Sequence, residues 1–429
     1  MDRRDFMKSS ALLAAAGAVA GTGLFGNVAA SQAASPAPQG NARNRNQDMQ
    51  YRSMGTTGEM VSALGFGMMR PPMLASGEVD EESFKKMVRH AIDSGLNYID
   101  TSHVYSKGKN QAITGRILRD GYREKVYLAT KMPWWQVKKA DDFDRILDEQ
   151  LESLQTDHVD FYLMHAITIT GWNGPIREFK LIDKMEKAKA NGKIRHIGFS
   201  HHAPLTTFKE VLAATPNWEF FQLQMNYIDA EYEAGLTGVK YAFDRGMGVI
   251  AMEPLRGGFL ADMPKGVKDI FARSSTKRSD VEWAFDYLWD MREISMVLSG
   301  MSAMRHVTDN LEYAGRSSVG MLGDDGRKLV AEARAHLLRD YGAAPCTGCE
   351  YCRQVCLENV AIAQIMIPWN QYKWNGNMEP AKRRITFTHG STYGNGMQSC
   401  VECGKCVAAC PQRIDVPAVF RDIKATMQI

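Results

Sequence analysis

The chain has 429 residues, of which 45% are hydrophobic and 24% are charged, a composition typical of globular proteins. Its 52 Lys and Arg residues against 49 Asp and Glu residues leave a formal net charge of +3. Charge therefore gives no basis for a nucleic-acid-binding or membrane-surface function.

The N-terminal segment, residues 1–34, has the features of a targeting signal. Residues 3–8 read Arg-Arg-Asp-Phe-Met-Lys, and a small, apolar run follows over residues 11–20. This pattern resembles a twin-arginine signal peptide, with candidate cleavage sites after Ala30 or Ala33. The alternative is a disordered basic tail before an apolar helix. We predict export by the twin-arginine machinery to the periplasm.

A linker rich in Ser, Pro, Gln and Asn is predicted over residues 35–50. Beyond the N-terminus, no apolar run is long enough to span a bilayer. We therefore expect the mature protein to be soluble.

From residue 62 onward, strand-like and helix-like patterns alternate. The strand-like runs are 63–69, 97–100, 126–131, 159–165, 194–200, 220–226, 248–254 and 294–300. Between them, apolar residues recur at helical spacing. Eight strands, each followed by a helix, predict an α/β fold with a (β/α)8 TIM barrel over residues 51–320. The rival is a doubly wound open sheet, but the first strand lacks the Gly-rich turn that usually follows it in such folds.

Three of the predicted strands end in ionisable residues. Asp100 ends the second strand and precedes Tyr105 in a loop, Lys131 ends the third strand, and His165 ends the fourth. In a barrel these strand ends share one face, where such folds keep their active sites. A carboxylate partner keeps a buried Lys131 charged, and the ammonium is predicted to lower the pKa of the Tyr105 phenol. With a neutral imidazole to orient a carbonyl oxygen, the set suits proton donation to a carbonyl as hydride arrives at its carbon.

In type and order, Asp100, Tyr105, Lys131 and His165 resemble the catalytic tetrad of the aldo-keto reductases. The resemblance covers roughly residues 51–315 and includes the Phe221-Gln-Leu-Gln-Met-Asn226 motif. Taken singly, each of the four has an ordinary structural reading, such as a helix cap or a core histidine. As an ordered set, they favour a catalytic function.

The resemblance implies a small carbonyl or alcohol substrate and a nicotinamide cofactor, NADP or NAD, lying across the barrel mouth. Ser200 and Gln222 would hold the carboxamide, and Met252 would pack near the ring. The full set of implied nucleotide contacts is Ser200, His201, Gln222, Met252, Leu255, Gly257, Gly300, Ser302, Asp309 and Asn310. Two loops carry Trp134, Trp135 and Trp172, which indicate either an aromatic-lined substrate pocket or simple packing.

All eight cysteines lie in the last quarter of the chain, which is unusual for a disulfide-stapled secreted protein. They form two Cys-x2-Cys-x2-Cys-x3-Cys runs, the spacing of bacterial ferredoxins, in which the fourth cysteine binds the other cluster. One [4Fe-4S] cluster is predicted on Cys346, Cys349, Cys352 and Cys410, and the other on Cys356, Cys400, Cys403 and Cys406. Zinc sites and disulfides are the alternatives. Residues 321–429 are thus predicted to form a helical linker and a small ferredoxin-like domain.

The segment between the two runs is both aromatic and basic. Its residues of this kind include Trp369, Tyr372, Trp374, Lys382, Arg383 and Arg384. They indicate either a docking surface for a redox partner or packing of the tail, and the sequence leaves both open.

The combination leads to one main hypothesis and two others. The main hypothesis is an oxidoreductase resembling the iron–sulfur branch of the aldo-keto reductases, in which two clusters relay electrons to or from an external carrier. The second is an exported ferredoxin-type electron-transfer subunit whose barrel is a binding or scaffold module. The third is a structural exported protein with incidental clusters.

Overall fold

The structure, a computed structural model, describes residues 42–341, 346, 348–376, 378–387 and 394–429. The predicted signal segment and the first seven residues of the predicted linker, 35–41, lie outside these residues. The described residues belong to one compact unit.

Eight parallel strands close into a barrel, as the sequence predicted. A two-stranded hairpin, β1 and β2, precedes the barrel strands β3–β10. The strands are β1 Tyr51–Ser53, β2 Met60–Ser62, β3 Leu64–Gly67, β4 Tyr98–Asp100, β5 Tyr127–Met132, β6 Val159–Ile167, β7 Ile194–His201, β8 Phe220–Gln224, β9 Gly248–Met252 and β10 Met296–Gly300. The ends of the barrel strands differ from the predicted runs by at most two residues.

Helices follow the barrel strands and continue into the tail. In the described part of the chain they are α1 Glu81–Asp93, α2 Asn110–Ile117, α3 Asp142–Leu154, α4 Ile169–Gly171, α5 Leu181–Ala190, α6 Leu205–Ala214, α7 Gly235–Phe243, α8 Lys265–Phe271, α9 Asp280–Trp289, α10 Met304–Gly315, α11 Gly323–Tyr341, α12 Tyr351–Gln354, α13 Ile362–Asn375, α14 Met378–Phe387, α15 Lys405–Ala409 and α16 Val416–Met427. No helix within those residues has the length and apolar character needed to cross a membrane.

Local sequence explains the amphipathic outer helices. In α1 the apolar residues recur at helical spacing and are buried against the barrel, while Asp80 caps the helix by accepting a hydrogen bond from the Ser83 backbone N–H. Serving as N-cap of α9, Ser279 forms a capping box with Glu282. These caps fix where the helices begin, and so fix the lengths of the loops at the two ends of the barrel.

The hairpin β1–β2 was not predicted, because its strands have only three residues each. It pairs in antiparallel register, with Tyr51 opposite Ser62. Met54, just after β1, and Val61 in β2 pack with the inward aromatic residues of the barrel, including Tyr98 and Phe161. The hairpin therefore fills the end of the barrel where the strands begin, and leaves the opposite end for chemistry.

The tail has a hydrophobic core of its own. Val360, Ile365, Trp369 and Phe420 are among its buried residues, together with Cys352 and Cys406. Before it, α11 packs with α8 and α9 of the barrel through Val330, Ala333 and Leu337. The domain boundary near residue 320 stays a prediction.

Candidate functional site

The carboxyl ends of β4, β5 and β6 bring the predicted tetrad together. Asp100 is the last residue of β4, Lys131 lies near the end of β5, and His165 lies near the end of β6. Tyr105 follows β4 after a four-residue loop and begins a short 3-10 turn. Parallel pairing of β4 with β5 and of β5 with β6 aligns these strand ends at one mouth of the barrel.

Lys131 is the centre of the group. Its Nζ donates to Asp100 Oδ1 at 2.6 Å, to the Thr101 carbonyl oxygen at 2.9 Å and to the Tyr105 hydroxyl at 3.3 Å. Both charged side chains are almost fully removed from solvent. Since the ammonium has three N–H donors, these three contacts use all of them, and the lysine joins the carboxylate to the phenol.

Burial dominates the acid–base properties of these groups. It raises the pKa of Asp100 and lowers that of Lys131, although each partner favours the charged form of the other. Burial also raises the pKa of Tyr105 well above its ordinary value, and the Asp100 and Glu253 carboxylates raise it further. The lowered phenol pKa predicted from the sequence is therefore wrong for this state, because desolvation outweighs the nearby ammonium. The phenol is held protonated.

His165 is neutral, as predicted. Burial, with Lys131 nearby, lowers the pKa of its imidazole well below the usual range. On one side of the ring, Nδ1 lies 3.2 Å from Ser102 Oγ. On the other side, Nε2 lies 3.3 Å from the hydroxyl of Tyr351, a residue of the tail. The ring also packs at 5.1 Å, centroid to centroid, from Trp135.

Replacing Lys131 by Met is expected to destabilise the protein by about 3–5 kcal/mol, because the Asp100 carboxylate is left buried without its partner. The double variant Asp100→Asn/Lys131→Met should be less destabilised than the sum of the two single variants, since it leaves no uncompensated charge. Thermal melting of the cluster-loaded protein measures both. Additive losses would contradict the coupling of the pair.

Three of the predicted nicotinamide contacts lie near each other at the barrel mouth. Gln222 Nε2 lies 3.3 Å from Met252 Sδ, and β7 pairs Ser200 with Gln222. The Ser200 hydroxyl accepts a hydrogen bond from the Ala166 N–H at 2.6 Å. Gln222 Oε1 is buried without a hydrogen-bond partner in the described structure. An orphaned acceptor is costly unless a ligand supplies a donor, and the amide N–H2 of a nicotinamide carboxamide is such a donor.

His201 does not join this group. Its ring packs between Phe199 and Phe208, on the outward face of β7 toward α6. Neither ring nitrogen has a hydrogen-bond partner among the described residues, and burial lowers its pKa to about 3. Successive residues of a strand face opposite sides, so the inward position of Ser200 turns His201 away. The side-chain contact predicted for His201 is not what this structure shows.

The remaining predicted nucleotide residues lie around the rim of the barrel. Gly257, with φ of 69°, follows Leu255 in the loop after β9. That left-handed backbone conformation favours glycine and permits close approach of a ligand. Gly300 ends β10, Ser302 is exposed, and Asp309 and Asn310 lie in α10, where Asn310 Nδ2 donates to Ser299 Oγ at 3.3 Å. Their roles in binding a nucleotide stay predictions.

The tail reaches into the barrel mouth, a contact that no sequence pattern indicated. Besides Tyr351, Gln412 of the tail donates to Gln224 Oε1 at 2.5 Å and accepts from Arg256 at 3.2 Å. Arg256 is itself buried and paired with Asp229 at 2.8 Å. Tyr351 and His165 are 186 residues apart in sequence, and no local pattern reports such a contact.

A second group of buried ionisable residues lies beside Tyr351. His202 Nδ1 and Glu233 Oε1 are 3.0 Å apart, and the His202 ring lies 5.8 Å from the Tyr351 ring. The Glu233 and Glu253 carboxylates help to raise the pKa of His202 against the opposing effect of burial. Glu253 Oε2 is buried without a partner in the described structure, and burial raises the pKa of that carboxyl. No sequence motif contains these residues, so they could not be predicted as part of the site.

The eight thiols line two separate cavities in the predicted crossed arrangement. One cavity is lined by Cys346, Cys349, Cys352 and Cys410. The other is lined by Cys356, Cys400, Cys403 and Cys406. Ile362 and Val416 line both. We call these the first and second cysteine cavities.

The backbone repeats itself around the two cavities. Positive φ angles occur at Gly348 and Glu350 after the first cysteine of one run, and at Glu402 and Gly404 after the first cysteine of the other. Corresponding positions are 54 residues apart. Tight left-handed turns point successive backbone N–H groups inward, a geometry that suits anionic clusters. The two runs are therefore structural copies, and Tyr351 and Lys405 occupy equivalent positions.

The thiol arrangement favours clusters over the two alternatives. All eight cysteines are free, so no disulfide joins them. Within the described residues, no three His, Cys, Asp or Glu side chains converge on one point at which they could hold a single ion. A zinc site needs four ligands within about 2.3 Å of one atom. Four thiols spread around a cavity instead fit a multi-iron cluster.

Burial bears on two questions that the sequence left open. Trp369 is buried in the tail core and packs on Tyr372 at 5.3 Å, so these aromatic residues pack the tail. Trp172 is also buried, at 3% exposure, and belongs to the barrel core. Trp135, in contrast, lies against His165.

Known family models match three parts of the chain. The Aldo/keto reductase family matches residues 63–317, more than half of the sequence. A 4Fe-4S dicluster domain matches residues 345–414, and a twin-arginine translocation pathway signal sequence matches residues 1–20.

Individual relatives cover mainly the barrel. L-galactose dehydrogenase of Arabidopsis thaliana is 30% identical over 310 residues, which are 67% of this chain and 94% of the relative. The uncharacterized oxidoreductase YrpG of Bacillus subtilis is 30% identical over 54% of this chain and 74% of its own length. Among solved structures, the holo form of aldo-keto reductase AKR11C1 from Bacillus halodurans is similar with a TM-score of 0.55 and 25% identity, covering 66% of this chain and 96% of that one.

Proposed function

Since this chain belongs to the aldo/keto reductase family and is an NAD(P)-linked oxidoreductase, we propose that it interconverts a small carbonyl compound and its alcohol at Tyr105, and that its tail exchanges electrons with an external carrier. One observation carries the first part: Lys131 Nζ reaches both the Asp100 carboxylate and the Tyr105 hydroxyl beside a neutral His165. This is the arrangement needed to give a proton to a carbonyl oxygen.

Tyr105, Lys131 and His165 each have a separate role in the proton transfer. Tyr105 holds a proton on its hydroxyl and delivers it to the carbonyl oxygen, while the Lys131 ammonium stabilises the phenolate that remains. His165, being neutral, donates a hydrogen bond to the same oxygen and orients it. Burial excludes water, and the raised pKa of Tyr105 keeps the proton in place until a substrate accepts it. When bound, the nicotinamide supplies or takes the hydride and the clusters hold single electrons.

Nucleotide binding is proposed for the inner surface of the mouth. Gln222 and Ser200 would hold the carboxamide, and Met252 would lie against the ring. The buried, unpartnered Gln222 Oε1 supports this assignment. The residues proposed for the rest of the nucleotide are Leu255, Gly257, Gly300, Ser302, Asp309 and Asn310. Titration with each nucleotide distinguishes NADP from NAD.

Two [4Fe-4S] clusters are proposed, one in each cysteine cavity. The first cavity adjoins the barrel site, because Tyr351 lies between two of its cysteines and against His165. The second cavity is nearer to solvent, since Cys403 is exposed and Leu357 and Val401 are 63% and 59% exposed. The first cavity thus lies on the barrel side of the tail and the second on the solvent side. This placement supports electron exchange between the barrel and an external protein or carrier by way of the tail.

The proposed location is the periplasm. The chain carries a twin-arginine signal sequence, and that route suits a protein whose clusters are inserted before export. The partner of the second cluster would then be a periplasmic or membrane-bound electron carrier.

A titration of the anaerobically purified, cluster-loaded protein with NADPH, and separately with NADH, tests this proposal. We expect one of the two to bleach the visible cluster band, and Gln222→Leu to abolish the bleaching while leaving the starting spectrum unchanged. Nucleotide binding without bleaching would contradict the relay. If neither nucleotide binds, the barrel is a scaffold and the protein is an electron-transfer subunit. This second candidate function is favoured by the tail, which covers the barrel mouth.

A further inference from the structure

We propose that Tyr351 is an internal ligand of the carbonyl site, and that an aryl carbonyl compound is the class of substrate that displaces it. The inference rests on the proposed function, because it concerns the same site. It assigns a specificity-determining role to a residue of the tail rather than of the barrel.

The phenol of Tyr351 contacts the histidine nitrogen that would bind the substrate oxygen. Its oxygen lies 3.3 Å from His165 Nε2, the ring nitrogen that faces the site. When the Ser102 hydroxyl donates to Nδ1, the single ring proton of a neutral imidazole is on Nε2. One N–H donates well to one acceptor, so the Tyr351 hydroxyl and a substrate carbonyl compete for it.

Ring packing holds the phenol in this position. The Tyr351 ring meets the His165 ring edge-on, with centroids 6.2 Å apart, and lies 5.8 Å from the His202 ring. Glu233 in turn fixes His202 by a contact of 3.0 Å. Contacts of this kind stabilise aromatic pairs in addition to the area that they bury. The site therefore already accommodates a six-membered aromatic ring that carries an oxygen.

The walls of the site suit the same kind of ligand. Trp135 lies 5.1 Å from His165, and Tyr105 lies 6.2 Å from it, both measured between ring centroids. A flat aryl group with its carbonyl oxygen on His165 would replace the Tyr351 ring with little change in these contacts. A small aliphatic carbonyl compound would place its oxygen on His165 but has no ring to replace the contacts that the Tyr351 ring makes.

The position of Tyr351 is set by the cysteine run that contains it. The residue begins α12, directly before Cys352, and follows Glu350, whose φ is +64°. In the second run the equivalent residue is Lys405, which is exposed and begins α15. Lys405 is thus a matched control: it has the same place in the repeated loop, without any contact to the barrel site.

The experiment compares Tyr351→Phe, Tyr351→Ala and Lys405→Ala in the full cluster-loaded protein, with benzaldehyde and propanal as probes. Removing the hydroxyl should lower the KM for benzaldehyde by about five-fold, the effect expected when one neutral hydrogen bond no longer competes. The kcat should not change. Tyr351→Ala should also lower the KM for benzaldehyde relative to that for propanal, whereas Lys405→Ala should change neither value.

Binding without turnover provides a second readout. In a Tyr105→Phe background, calorimetry should show benzaldehyde binding about five-fold more tightly when Tyr351 is also replaced by Phe. Unchanged KM and dissociation constants in both Tyr351 variants would overturn the inference, as would a loss of kcat at constant KM, which would make the phenol an acid catalyst. If the parent protein reduces propanal, the proposed function stands whatever the Tyr351 variants show. If the parent protein neither reduces nor binds either aldehyde, the proposed function and this inference are both overturned.

Discussion

Replacing Tyr105 by Phe is expected to lower kcat for carbonyl reduction by a factor on the order of 10² to 10⁴, with the visible cluster absorbance unchanged. The change removes the one proton that Lys131 is placed to release, since Nζ lies 3.3 Å from the phenol oxygen. It leaves the ring, its packing and the Asp100–Lys131 pair in place. The loss should therefore appear in the chemical step, and nucleotide binding should be unaffected.

Tyr98→Phe is the matched control for this experiment. The Tyr98 hydroxyl is also buried inside the barrel, but it has no hydrogen-bond partner in the described structure. Its removal should leave kcat within experimental error of the parent, because it takes away no contact. If Tyr105→Phe retained parental turnover, or if both variants lost it equally, the assignment of Tyr105 as the proton donor would be wrong.

Replacing Cys410 by Ser is expected to remove the cluster of the first cysteine cavity and with it about half of the bound iron. Cys410 belongs to the second run in sequence but lines the cavity of the first run. Bleaching of the remaining cluster by nucleotide should then be lost, because the first cavity is the one that adjoins the barrel site. Cys356→Ser should remove the other cluster and leave bleaching of the first.

Double variants separate the crossed arrangement from the uncrossed one. If Cys346 and Cys410 bind the same cluster, Cys346→Ser/Cys410→Ser should still retain about half of the iron, while Cys400→Ser/Cys410→Ser should lose nearly all of it. In an uncrossed arrangement these two results are exchanged. Iron analysis and low-temperature electron paramagnetic resonance of the reduced proteins give the answer.

Much of the architecture followed from local sequence patterns. All eight barrel strands were predicted, because strands covered by helices on one side and by the barrel interior on the other read as short apolar runs. Asp100, Lys131 and His165 could be placed together because parallel strands must align their carboxyl ends. The crossed cysteine pattern followed from spacing alone, since three closely spaced thiols wrap one cavity and the fourth is carried to the next by a helical turn.

Other features were decided only by packing between distant parts of the chain. No local pattern indicated that Tyr351 and Gln412 enter the barrel mouth, because contacts across more than 150 residues leave no periodic trace. The direction of the Tyr105 pKa depended on how completely the site is buried, which neighbouring charges alone do not reveal. The side chain of His201 faces away from the barrel mouth because β7 extends one residue beyond the predicted strand, and successive side chains of a strand point to opposite faces. The residue types and their order thus determined which chemistry is present, whereas the docking of the tail determined what has access to it.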